Sequence, residues 1–359
     1  VGLGASNTFA SSLVINGGTL STSGFSNTFN GVSLLSSSAI NFNSMGGLLG
    51  VGTGSYTGGL LTVDNWAGSP TGGGASQLLV NNLTALNSTF LNNITFSGYG
   101  AGAQIINVGG VFEIVPITGS AYTWGVDGNG TWSGTNWAGG LANPGGTGTT
   151  SVFGNAITAN ATVTLDAART AGYLIFNDNN NYTIAPSAAE RITLDVTGGS
   201  AAISLSNTGS QTISAGLTLN DALNINQNST GDFTLSAANA ITGTNQNVTV
   251  GGTGNTFING TITTGTGSLT MNGSGVLTLA ADNTYTGKTI INAGTIAISN
   301  ANQLGDSPGA SVLDQLTLNG GTLRSFGSTV NFAADNREFY LGANGGTFET
   351  VTNLTIDNP

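Results

Sequence analysis

The sequence predicts an all-β chain wound as a parallel β-solenoid, and three observations predict it. Apolar residues come in short bursts that alternate with polar ones, the period-two signature of strands with one buried face. From position 162 onward these bursts include Val163 and Leu165, Ile192, Leu194 and Val196, Ile203 and Leu205, Phe233 and Leu235, and Val248 and Val250. Gly, Asn, Ser, Thr and Asp separate them, as in 207–209 and 251–255, so the chain turns roughly every 8–12 residues. Finally, one turn-into-strand unit recurs: NGGTL at 16–20 and 319–323, NAGTI at 292–296 and NGGTF at 344–348.

Composition removes the main competitors. Of 359 residues only 6% are charged and 58 are Gly, while 38% are hydrophobic, enough apolar surface to bury and too much for a disordered chain. Apolar stretches such as 33–40 are far too short to span a bilayer as a helix, so no membrane insertion is expected. The Ala-rich pieces 167–171 and 237–240 are too short for helices, and no 3.6-residue period develops around them. The net charge of −11 arises from 16 acids spread thinly against five bases, which leaves no basic stripe for nucleic acid. The chain has neither Cys nor His, and so lacks thiol nucleophiles, Ser–His triads, disulfides and the usual zinc ligands.

Recurrence of one unit at irregular intervals selects a solenoid over a sandwich or barrel, because stacked coils contact only their neighbours. At about 20–24 residues per coil and a strand spacing of about 4.8 Å, the chain would form roughly 15–18 coils in a rod of about 70–85 Å. The interior would be filled by Leu277, Leu279, Ile291 or Ile290, Ile296 and Ile298, with stacked Asn and Thr forming hydrogen-bond ladders outside.

The stretch GSGVLTLAADNTYTGKTIINAGTIAISNANQLGD, residues 273–306, closely resembles the autotransporter-associated β-strand repeat of bacterial surface passengers. The matching positions are Gly273, Gly275, Leu277, Leu279, the run Asn283–Gly287, Thr289, Asn292, Gly294 and Thr295. The resemblance implies a right-handed parallel β-helix (β-solenoid) exported to the cell exterior and serving as a scaffold rather than an enzyme. Lys288, one of the five basic residues, then occupies a variable turn position. Residues 59–117 resemble the closing segment of large surface proteins that carry such repeats, and 121–155 the opening segment of a passenger. The expected organisation is therefore a solenoid segment at 1–117, a Trp- and Gly-rich junction at 118–161, and a second solenoid at 162–359. Strand-like alternation at 1–15 and around Leu354 and Ile356 adds the expectation of stacking on itself, head to tail or as a tandem covalent continuation.

Each candidate for chemistry has a simpler reading. Solenoids that cleave polysaccharide use clustered carboxylates with a nearby base, and stacking could bring Asp166 near Glu190 or Asp195 with Arg169 or Arg191 beside them. Salt-bridged turn residues are the simpler account. Asp127-Gly128-Asn129-Gly130 opens like a calcium loop but lacks the later ligands, and DNNN at 178–181 has the same ambiguity; both read as tight turns. The four Trp, at 66, 124, 132 and 137, could stack on sugar, yet Trp132 and Trp137 fit a hydrophobic plug over a coil end. Sequons at Asn82, Asn93 and Asn247 are what chance gives in so Asn- and Thr-rich a chain. No catalytic, cofactor-binding or metal site is expected, and no cofactor. The function expected is an extracellular structural element, a fibre subunit or adhesin stalk. The alternative is a carbohydrate-active protein on the same scaffold, with surface polysaccharide as its partner.

Overall fold

In the computed structural model, the structure describes residues 5–42, 47–51, 54–56, 60–68, 74–80, 94–97, 103–108, 111–116, 121–142, 144–206, 208–332 and 336–356. Among these there is no α-helix, only two short 3₁₀ turns at Ala138–Gly140 and Ala301–Leu304, and no helix long and apolar enough to cross a membrane. The protein is a parallel β-solenoid that divides into two compact units: Val1–Ala121 with Thr197–Gly199, and Tyr122–Val196 with Ser200–Pro359.

In the first unit the strands Asn7–Ser21 and Asn27–Asn41 pair in parallel, each too long to be one side of a tight coil. The next turn is broken into Gly47–Val51, Gly54–Tyr56 and Leu61–Asp64, all laid on the second strand, followed by Ser76–Val80 and Ile94–Phe96. The parallel stack then stops. Ala103–Val108 and Val111–Pro116 form an antiparallel hairpin whose second strand runs antiparallel to Ser76–Val80. The apolar sides of these strands, including Leu34, Leu49, Val63, Phe96 and Ile114, make one buried core.

The second unit is the regular one. Two sheets of ten parallel strands each give it ten coils, numbered here from the chain's N-terminal side. A third face exists in coils 2 to 6, from Arg169–Ala171 to Ile262–Thr263, and again as a short pair in coils 9 and 10, Val330–Asn331 with Leu354–Thr355. Its interior consists of columns in strict register. On the first sheet Leu174, Ile203, Ile225, Val250, Met271, Ile291 and Leu318 stand one above another, all buried. On the second sheet the column runs Val163, Ile184, Ile213, Leu235, Ile258, Leu279. Identical pitch forces this, because parallel neighbours point the same side chains the same way. The interior position is thus Ile291; Ile290 lies on the outer side and is half-buried.

Coils are longer than the sequence suggests. Leu269 pairs with Thr289, 20 positions on, but Thr289 pairs with Leu316, 27 on, and Tyr173 with Ala202, 29 on. The extra residues sit in corners, such as the 3₁₀ turn Ala301–Leu304, and spend chain length without adding coils.

Candidate functional site

In the second unit the recurring unit is a corner, at 292–295, 319–322 and 344–347, whereas the copy at 16–20 lies inside the strand Asn7–Ser21. Extending the strand register by one or two residues aligns Gly209, Gly231, Gly254, Gly275, Gly294, Gly321 and Gly346 on successive coils. There the backbone of each coil lies on the one below. A Cβ on Gly275 would sit 2.0 Å from the Gly254 carbonyl oxygen, and one on Gly231 would sit 2.4 Å from Gly209. Glycine is required because nothing larger fits. Beside this column runs a polar one. Asn160 accepts the Asn181 N–H (3.0 Å), Asn181 that of Ser210 (2.8 Å), and Ser210 Oγ that of Asp232 (3.1 Å), while Asn255 Nδ2 donates to Asp232 (3.3 Å).

The NTYTG motif has a related task. It occupies the side of coil 7 where the third face has just ended. Asn283 Oδ1 accepts the Ile262 N–H (2.7 Å) that a further strand would have taken, and its Nδ2 donates to the Gln303 carbonyl of coil 8 (2.5 Å). Tyr285 is buried with its hydroxyl 2.8 Å from Thr289 Oγ1, and burial pushes its phenol well above the ordinary range. Lys288, three positions on, forms an exposed ion pair with Asp314.

Each member of the expected carboxylate constellation is engaged by partners of its own. Asp166 is taken by Ser133, whose N–H and hydroxyl both donate to it, and by Arg169 at 3.5 Å. Burial pulls its pKa upward, but the Ser133 hydrogen bonds prevail and hold it below the usual range. Glu190 folds back on its own turn, where the Ala188 N–H (2.7 Å) above all, and then Ser187 Oγ (3.0 Å), donate to it and hold it low as well. Asp195 accepts from Thr147 Oγ1 (2.7 Å). Arg191 faces away from all of them. Its guanidinium donates to the Leu217 and Asn239 carbonyls and to the Thr218 and Thr242 hydroxyls, tying coil 3 to coils 4 and 5. Among the described residues no three acidic side chains converge on one point.

Trp124, Trp132 and Trp137 are fully buried, which removes them as a sugar-stacking face. Their rings lie 5.2–5.3 Å apart around Trp137, and Trp132 meets Phe153 of coil 2 at 5.6 Å. Trp132 Nε1 donates to the Pro144 carbonyl (2.9 Å) and Trp137 Nε1 to that of Trp132 (2.8 Å). They fill the interior at the first coil of this unit, while Trp66 packs against Phe96 in the other. Asn82 and Asn93 lie outside the described residues; Asn247 accepts from Ser268 N and Oγ, as a ladder residue. A cavity of about 490 Å³ opens on coils 7 to 9 between Thr286, Asp306, Pro308, Val312 and Gln315, with a single carboxylate in its walls.

Residues 269–298 match the passenger-associated-transport-repeat family. The match spans the strands Leu269–Met271, Val276–Leu279, Thr289–Ile291 and Thr295–Ile298, which are coils 7 and 8, and includes the NTYTG side and two corner glycines, Gly275 and Gly294. No curated protein and no solved structure shows significant similarity to the chain.

Proposed function

Since the chain carries a passenger-type transport repeat on a β-solenoid, we propose that it is a secreted or surface-displayed structural rod, the stalk of an adhesin or a subunit of a surface fibre, without enzymatic activity. The observation that carries the reading is that the two coils matching the repeat are two among ten, built by the same columns as their neighbours. Motif residues that would attract a mechanistic interpretation all serve the stacking of one coil on the next.

The last described coil supports continuation of the stack. Leu341 stands in register with the interior column above Leu318, yet it is 54% exposed, and Val351 is 64% exposed. A further coil would cover them, whether from a second copy placed head to tail or from a longer covalent chain. Electron microscopy of the purified protein tests assembly, with rods of uniform width as the expected outcome and separate short particles as the opposing one. Mass spectrometry of the dissociated rods then separates the two sources. A species near 35.6 kDa means stacked copies, and a much larger one means a continuous polypeptide. Fractionation of the producing cell tests export, and recovery in the cytoplasm alone would overturn the surface assignment.

A further inference from the structure

The two Asp- and Asn-rich runs, DGNG at 127–130 and DNNN at 178–181, meet at one place in the fold. Coils 1, 2 and 3 of the second unit turn from the first sheet to the second at a common corner, through residues 125–129, 154–160 and 177–181. Asp127 accepts from Thr158 N (2.7 Å) and Thr158 Oγ1 (2.9 Å), which joins coil 1 to coil 2. Asn180 Nδ2 donates to the Ile157 carbonyl (2.8 Å) and to Asp178 Oδ1 (3.1 Å), and the Asn180 N–H donates to the same oxygen (2.8 Å).

Asp178 Oδ1 is therefore saturated. Its Oδ2 has no hydrogen-bond partner, although the residue is 2% exposed. The amide oxygen of the preceding residue, Asn177, is likewise buried without a donor. Glycine at 154 leaves it room, since a Cβ there would lie 2.7 Å from Asn177 Oδ1. Beneath them Tyr182 donates to the Gly154 carbonyl (2.8 Å), and burial, reinforced by the charges of Asp178 and Asp127, pushes its phenol well above the usual range.

No side chain supplies the missing positive charge. Of the five basic residues, Arg169, Lys288 and Arg324 pair with Asp166, Asp314 and Glu349, while Arg191 and Arg337 donate to backbone carbonyls. A buried carboxylate oxygen with neither donor nor counter-charge is costly, and the group that would satisfy it here must come from solution.

We propose that this corner binds one calcium ion, with Asp178 Oδ2 as the charged ligand and the Asn177 amide oxygen as its neighbour. The donors are all oxygens in a chain without His or Cys, which favours a hard cation over zinc or copper. A single carboxylate on a turn fits the weak, millimolar affinities of extracellular calcium modules better than a tight buffer site. Because the corner exists only when coils 2 and 3 are stacked, binding stabilises the folded state.

The test uses the full chain. Thermal unfolding in calcium chloride against chelator should show the midpoint rising by about 5 °C at a hundredfold excess over the dissociation constant. Terbium, a calcium surrogate excited through the neighbouring tyrosine and tryptophans, should luminesce with a stoichiometry of one and be displaced by calcium. Asp178→Asn, which keeps the shape and removes the charge, should lose both responses, whereas Asp306→Asn, in an exposed turn of coil 8, should keep them. No midpoint change and no terbium emission in the unmodified chain at about 10 mM ion overturns the proposal, and that measurement does not depend on any variant folding. Undiminished responses in Asp178→Asn also overturn it, since calcium would then be acting on the net charge of −11 as a whole.

Discussion

Lys288 and Leu279 mark the two extremes of what a side chain contributes here. Lys288→Ala removes an ion pair open to water on both sides and should change unfolding free energy by less than about 0.5 kcal/mol in a denaturant titration. Leu279→Asp places a charge in the fully buried column between Ile258 and the coil above, and should cost more than about 4 kcal/mol, with the loss spreading to neighbouring coils. The carboxylates add a pH dependence of definite sign. The Thr158 N–H, and then its hydroxyl, hold Asp127 below its ordinary pKa, and Ser133 does so for Asp166 against the opposing effect of burial. Groups with depressed values stabilise the fold above their unfolded pKa of about 4 and lose that contribution as pH falls through the folded value. The thermal midpoint should therefore be flat near neutrality and fall below about pH 4, less steeply in Asp166→Asn. Interior residues such as Leu277, Ile296 and Ile298 were legible in the sequence because period two assigns a face to every position. The role of Arg191 was not, since its four partners lie 26 to 51 positions away and no local pattern announces them.

The corner is the element that the repeat encodes. In the second unit the corner glycines recur because each coil must pass over the last at backbone distance, and the register of seven glycines follows from that demand; the copy at 16–20, inside a strand, has open space around Gly18. Gly275→Ala should cost about 3 kcal/mol, more than an ordinary surface change, because its Cβ would meet a carbonyl oxygen instead of a side chain that can move. The same substitution at Gly309, which has open space around its Cβ position, should be nearly neutral, and comparing the two by thermal unfolding isolates the stacking constraint. Sequence reading found the unit but not its alignment across coils, because corner insertions change the spacing from one coil to the next. It found the NTYTG run yet could not show that Asn283 stands in for an absent strand. The antiparallel hairpin at 103–116 was also hidden: its alternation is that of any strand, and pairing direction leaves no mark on it.

For the second unit as a whole, cooperativity should be that of a one-dimensional stack, in which each coil rests on two others and no residue reaches across the full length. Hydrogen exchange should show protection greatest in coils 3 to 6, where three faces and Arg191 tie the layers together, and least at coil 10, where Tyr340, Leu341 and Val351 are exposed. Uniform protection across the ten coils would contradict this ordering. The unequal coil lengths carry a mechanical consequence. Tension applied along the stack would load its inter-coil hydrogen bonds one layer at a time, peeling the rod like a coiled ribbon. Each detached coil would release 19 to 33 residues, an extension of about 65–115 Å per event. Because neighbouring coils differ in length, the order of the steps would be readable from their sizes, so a single pulled molecule would report which end gives way first.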